Sequence, residues 1–208
     1  MTCPRCGGQV QAPGLWSDSW TCPRHGEIAP LRAAALPTRE LLLQCAQRSA
    51  VPLWLPWPLP PGWLVTGLRT AGGEHTGPVA TVLACSGPHP LPDGHNPRSA
   101  DLLLIAEQPG IGLGEHLAGL SDIDPGAAAA VGPPNLRITA DGHETPLWAV
   151  DSSPSAAYAG EASGVWLWVV VRPHEAGAVL LEQFELLDVR QGVPGDLLPT
   201  GALCPLLR

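Results

Sequence analysis

Four residues near the start of the chain carry its strongest chemical signal. Cys3 and Cys6 stand in Cys3-Pro4-Arg5-Cys6-Gly7-Gly8, and Cys22 and His25 stand in Cys22-Pro23-Arg24-His25-Gly26. Thiolate sulfur and imidazole nitrogen are the donors zinc favours, four at a time in tetrahedral geometry. A two-residue gap lets one tight turn aim both members of a pair at the same ion. Gly7 and Gly26 each follow the second residue of a pair, where the chain curls back at positive φ and a side chain would resist it. The intervening residues 7–21 suffice for a short hairpin that returns the second pair to the first. The pattern predicts one zinc ion per chain, held by Cys3, Cys6, Cys22 and His25. With all four positions filled by protein, no coordination position is left for water, so the expected role is structural rather than catalytic. A thioredoxin-like redox reading of Cys3 and Cys6 needs a preceding strand and a following helix, and it leaves Cys22 and His25 unexplained.

Weaker signals lie further along. Leu102–Glu107 leads into Pro109-Gly110-Ile111-Gly112-Leu113-Gly114-Glu115-His116. A strand running into a glycine-rich loop can cradle phosphate with backbone N–H groups. The glycine spacing departs from the dinucleotide fingerprint, the phosphate-loop lysine is absent, and Glu107 and Glu115 would repel an anion. A tight loop in a β-rich fold is the favoured reading, with Gly110, Gly112 and Gly114 kept as candidate ligand-binding residues. Trp54, Trp57 and Trp63 lie in a proline-rich stretch from Val51 to Trp63, which favours an extended, polyproline-like path. The favoured role is a stiff strap packed over a sheet. Alternatively the three indoles line a groove for a small aromatic or phosphorylated ligand, or the strap docks into another protein's aromatic groove. Cys85 precedes His89 by four residues, but it follows Val82-Leu83-Ala84 and reads as buried, whereas a nucleophilic thiol needs a base in reach and a lowered pKa. His75, His89, His95, His116, His143 and His174 read as solvated.

These residues must be positioned by short elements, because the chain's 25 prolines and 24 glycines interrupt long helices. Residues 1–32 form the candidate zinc module, too short to bury a core unaided, since chains below about 40 residues usually need a metal, disulfides or a partner. Trp16 and Trp20 are expected to dock it on the body, residues 33–208. Residues 38–48 read as a helix capped by Thr38. Leu64–Arg69, Val79–Cys85 and Ala100–Glu107 read as strands. Asn135–Ala140 and Glu144–Val150 flank the hairpin signal Asp141-Gly142. In Val165–Arg172, Trp166 and Trp168 share one face and Leu167 and Val169 the other, which suggests a strand covered on both sides. Val179–Val189 fits strand or helix equally, and 86–98 and 121–134 read as loops. Pro52-Leu53-Trp54 with Gly62-Trp63 is echoed by Pro146-Leu147-Trp148 with Gly164-Val165-Trp166, at unequal spacing that reads as chance. The expected class is α+β and β-rich: an N-terminal zinc ribbon followed by a mainly antiparallel β body with few helices.

All eleven basic residues are arginine, and the net charge is −8. That balance argues against nucleic-acid binding, which depends on cations neutralising phosphates. The run Val165–Val171 is far shorter than the ~20 apolar residues of a membrane span, and no leader segment is apparent. Cys45, Cys85 and Cys204 are dispersed and read as free thiols, which places the chain in a reducing cytoplasm.

The chain resembles an uncharacterised actinobacterial family with a zinc-ribbon-like N-terminus. The resemblance rests on Thr2–Gly8, Ala12–Ser17, Trp57–Pro60 with Gly62-Trp63, Ala84–Pro88, Gly112–Gly114, Thr145–Trp148, Gly160–Ala162, Trp166–Trp168 and Gly201–Leu203. It implies a shared fold and a cytoplasmic actinobacterial setting, and it transfers no catalytic residue. The leading expectation is a non-enzymatic interaction or regulatory protein with a protein partner. The alternative is an enzyme or sensor that binds a small phosphorylated or aromatic ligand near Gly110–Gly114 and Trp54, Trp57 and Trp63.

Overall fold

A computed structural model describes residues 1–208 apart from 16, 74–75, 91–98, 121–124, 130–131, 183–184, 194–197 and 208. In the N-terminal segment β1 (Thr21–Cys22) and β2 (Gly26–Glu27) form an antiparallel pair. Then come α1 (Arg39–Arg48), β3 (Trp54–Trp57), β4 (Leu64–Gly73), β5 (Gly77–Pro88) and β6 (Ser99–Glu107). The short helices α2 (Leu113–Ala118) and α3 (Pro125–Ala129) precede β7 (Leu136–Ala140), β8 (His143–Val150), β9 (Ala156–Ala162), β10 (Val165–Arg172) and β11 (Glu185–Asp188). Strands β3 to β11 build one nine-stranded sheet in the order β3-β11-β7-β8-β9-β10-β6-β5-β4. Its neighbours are antiparallel except β11 and β7. The class is β-rich α+β, as expected.

Local chemistry explains the elements that match expectation. Thr38 Oγ1 accepts the Leu41 amide at 3.2 Å and starts α1, while Arg48 in the last turn suits the negative end of the helix dipole. Asp141 and Gly142 have φ of 52° and 75°, the paired positive values that a two-residue hairpin turn requires. Strand β10 is covered on both sides. Leu167, Val169 and Val171 enter one buried cluster with α1's Leu42 and Ala46. Trp168 and Val170 enter the other, with Leu31, α2's Leu113 and Ala118, and Leu207.

Other expectations need correction. The tryptophan strap contains a true strand, β3, with Pro56 in register with Leu186. Proline cannot donate to a ladder, and it is tolerated because β3 lies at the end of the sheet and pairs only with β11. The segment Val179–Val189 divides: a 3-10 turn ends at Leu181 and β11 begins at Glu185. Two expected loops contain structure, because β5 runs on to Pro88 and α3 lies within 121–134; 91–98, 121–124 and 130–131 lie outside the described residues. The repeated Trp-bearing motifs have no matching places. β3 and β4 stand at opposite ends of the sheet, whereas β8 and β10 flank β9.

The last strand, β4, receives both ends of the described chain. Arg32 and Ala35 donate their amides to Thr70 and Leu68 at 2.9 Å each. Further along, Val65 donates to Pro199 at 2.9 Å, Gly201 to Val65 at 3.0 Å and Cys204 to Thr66 at 2.9 Å. Among the described residues no helix is long and apolar enough to cross a membrane.

Candidate metal centre

Two turns build the cluster. In the first, Gly7 donates to the Cys3 carbonyl at 2.8 Å and Cys3 donates to the Gly8 carbonyl at 2.8 Å, with Gly7 at φ 66°. The second is the β1–β2 turn, where Cys22 pairs with Gly26 at φ 70°. Gln11 and Thr21 exchange amide hydrogen bonds of 2.9 and 3.0 Å, which return the second turn to the first. Thr2 and Leu31 exchange bonds of 3.0 and 2.8 Å and anchor the segment to the body.

The four predicted donor atoms converge. The Sγ atoms of Cys3, Cys6 and Cys22 and a ring nitrogen of His25 all lie within 4.8 Å of one another, close enough to hold a metal ion. Cys3 Sγ is 3.4 Å and Cys22 Sγ 3.6 Å from His25 Nδ1, and the sulfurs of Cys6 and Cys22 are 3.9 Å apart. The turns also repeat each other electrostatically. The amides of Arg5 and Cys6 donate to Cys3 sulfur, and those of Arg24 and His25 donate to Cys22 sulfur. Burial nevertheless pushes the Cys3 thiol up to about 11, whereas the Arg24 amide leads in drawing Cys22 down to about 6. A cation at the centre would favour the thiolate of both.

The glycine-rich loop lies against this cluster. The Arg5 guanidinium donates to the Gly110 carbonyl. A Cβ on Gly112 would stand 2.8 Å from Arg5 Cγ, and one on Gly7 would stand 3.1 Å from His116 Nε2. The amides that open α2 already face an acceptor, since Leu113 and Gly114 donate to the Glu107 carboxylate at 2.6 and 3.3 Å. Glu107 is buried, and burial raises its pKa to about 7 against those two amides, with the Glu115 charge adding to the rise. The Trp168 indole N–H lies beside this carboxylate without meeting hydrogen-bond geometry. Gly114 makes room for that indole, as a Cβ there would fall 2.2 Å from Trp168 Cδ1.

Trp54 and Trp63 occupy the opposite face of the sheet. Trp54 and Trp63 are buried in the cluster that includes Leu102 and Leu104, and Trp57 is half-buried. Leu113 and Trp168 belong to the cluster that includes Leu103 and Ile105. The sheet therefore separates Trp54 and Trp63 from Gly110, Gly112 and Gly114. Cys85 is fully buried, and burial pushes its thiol upward, away from nucleophilic character. Leu15, at the hairpin tip, is 97% exposed and Trp20 half-buried; Trp16, His75 and His95 lie outside the described residues. Two contributors to the site were not foreseen. Glu107 could have been found from an acid lying six residues before a glycine-flanked helix start. Arg5 had no such signal, because its contact with Gly110 spans the length from the first turn to α2.

The model of a family of unknown function, DUF6758, matches residues 1–207. No curated protein and no solved structure matches the chain.

Proposed function

The chain belongs to the DUF6758 family, and from the geometry of its cysteine–histidine cluster we propose that it holds one structural zinc ion and acts as a non-enzymatic interaction or regulatory protein. Convergence of the four donor atoms is the observation that carries this reading. Tetrahedral zinc with ordinary bond lengths sets sulfur pairs about 3.8 Å apart and sulfur–nitrogen pairs about 3.6 Å apart. The separations of 3.9, 3.4 and 3.6 Å fit that figure. Three thiolates and one imidazole are a donor set that selects zinc over hard cations such as magnesium or calcium. Cys3, Cys6, Cys22 and His25 would fill the coordination shell, so the ion would supply a cross-link between two turns rather than a reaction centre.

A protein partner is part of this reading, and so are the cytoplasmic and actinobacterial setting. The six cysteines without a disulfide support a reducing compartment. The competing enzyme or sensor reading draws less support. Its two candidate surfaces face opposite sides of one sheet, and the helix-start amides that would meet a phosphate are bonded to Glu107. Native mass spectrometry of protein purified without added metal is the test. One zinc per chain, lost in Cys22→Ser, is the expected result. A metal-free chain with Cys3 and Cys6 joined as a disulfide would overturn it.

A further inference from the structure

The first turn of the cluster reaches beyond the metal ligands. Arg5 stands between Cys3 and Cys6, and its amide donates to Cys3 sulfur. Its side chain leaves the turn towards the glycine-rich loop. The guanidinium donates to the Gly110 carbonyl, and Arg5 Cγ fills the space that a Cβ on Gly112 would need. From the same turn, Gly7 lies against the His116 ring of α2. Arg5 thus joins the sulfur of a candidate ligand to the loop that opens α2.

The segment held in this way has hinges at both ends. Gln108 is fixed, since its amide donates to the Val79 carbonyl of β5 at 3.0 Å. Beyond it Gly110, Gly112 and Gly119 have φ of 88°, 77° and 78°. Glycines therefore flank α2 on each side, where they can absorb a change of backbone angles. α2 has six residues and no side-chain cap at its start, too few to persist as a helix alone. Three things keep it in place: the buried Leu113 and Ala118, the Glu107 carboxylate that accepts its first amides, and the contacts from the first turn. Closure also has an opposing term. It buries Glu107 and the Trp168 indole N–H, and that N–H has no hydrogen-bond partner among the described residues. A carboxyl group taken out of water and an unpaired buried donor both favour opening, so losing one anchor shifts the balance.

We propose that occupancy of the cluster formed by Cys3, Cys6, Cys22 and His25 governs a lid made of residues 110–119. With zinc bound, the ordered first turn holds Arg5 on Gly110, and the lid stays shut over Glu107 and Trp168. When the ion leaves, the turn no longer fixes Arg5. The lid then opens on its flanking glycines and uncovers the carboxyl group and the indole. This inference rests on the proposed zinc site and gives that site a regulatory consequence in the body of the protein.

Amide hydrogen exchange read by mass spectrometry tests it on the full chain, zinc-loaded and EDTA-treated, with the zinc content of each sample measured alongside. Removing zinc should speed exchange in residues 110–119 about tenfold more than in β5 and β6, so that a general loss of stability does not imitate the effect. Arg5 is exposed, and Arg5→Gln should keep one zinc per chain yet speed exchange of the lid by about fivefold in the zinc-loaded state. Arg5→Ala repeats the measurement if Arg5→Gln folds poorly. Arg24→Gln, at the matching exposed place in the second turn, keeps its backbone amide and should leave the lid within about twofold of wild type. Equal acceleration of lid and strands on zinc removal, or a zinc-loaded lid indifferent to both Arg5 variants, would overturn the proposal and leave the metal site standing. A chain that takes up no zinc would overturn the metal reading and the lid with it.

Discussion

Single residues in this molecule are set by close neighbours on other elements. Cys3, Cys6, Cys22 and His25 were legible because their spacing is itself the mechanism: two residues between donors, glycine after the second, and a return hairpin between pairs. Glu107 was legible only as a charge, because its function depends on where α2 begins. Its folded-state pKa of about 7 stands above the ordinary 4.5. The folded protein therefore holds a proton between those values that the unfolded chain releases. That contribution to stability is fully present below about pH 4.5 and is lost as pH rises towards 7. Urea unfolding of metal-replete wild type and Glu107→Gln, compared from pH 4.5 to 7.5, should show wild type losing ground to the variant by as much as about 3 kcal/mol. If wild type instead gained on the variant, the two amides would be outweighing burial and holding the carboxylate as an anion.

At the scale of elements, strands with their own apolar pattern were readable, and those formed by context were not. Val165–Arg172 declared both faces covered by being apolar on each, without a break from Val165 to Val171, and Asp141-Gly142 declared its hairpin. β9 did not, because Ala156–Ala162 is alanine-rich and of low strand propensity. It forms because β8 and β10 pair with it on both sides. The Ser163-Gly164 turn, with φ of 55° and 76°, was the available clue to its hairpin with β10. α2 also escaped, because six residues are too few for a helical period to show, although Leu113 and Ala118 pack into the core and Glu107 accepts its first amides. Double coverage makes β10 costly to alter. Leu167 is fully buried, and Leu167→Ala should destabilise the chain by about 2–5 kcal/mol. Leu181→Ala, at a side chain 79% exposed, should stay within about 0.5 kcal/mol. Urea midpoints compare them, and equal losses would mean that β10 is not the centre of the core.

For the whole molecule, the sequence suggested a boundary at residue 32, yet bonds run across it. Cys3 and Leu31 are fully buried, Arg5 reaches Gly110, and Arg69 binds both Thr2 and the Arg32 carbonyl. Removing the proposed zinc ion with a chelator should therefore lower the melting temperature of the entire chain, by several degrees or more, in one transition. Far-ultraviolet circular dichroism and tryptophan fluorescence should shift together, the latter reporting Trp54, Trp63 and Trp168 deep in the body. Two separated transitions would instead show residues 1–32 and 33–208 melting independently. The dual covering of β4 has a further consequence, for synthesis on the ribosome. Residues 30–35 precede β4 and can meet it as soon as it emerges. Residues 199–204 arrive only after every other strand has been translated. Until then the stretch from Val65 to Thr66 keeps its backbone groups unpaired at a sheet edge, a template for pairing with neighbouring nascent chains. The interval between translating β4 and translating the closing segment is thus the molecule's period of greatest exposure to aggregation, and slowing elongation after β11 would lengthen it.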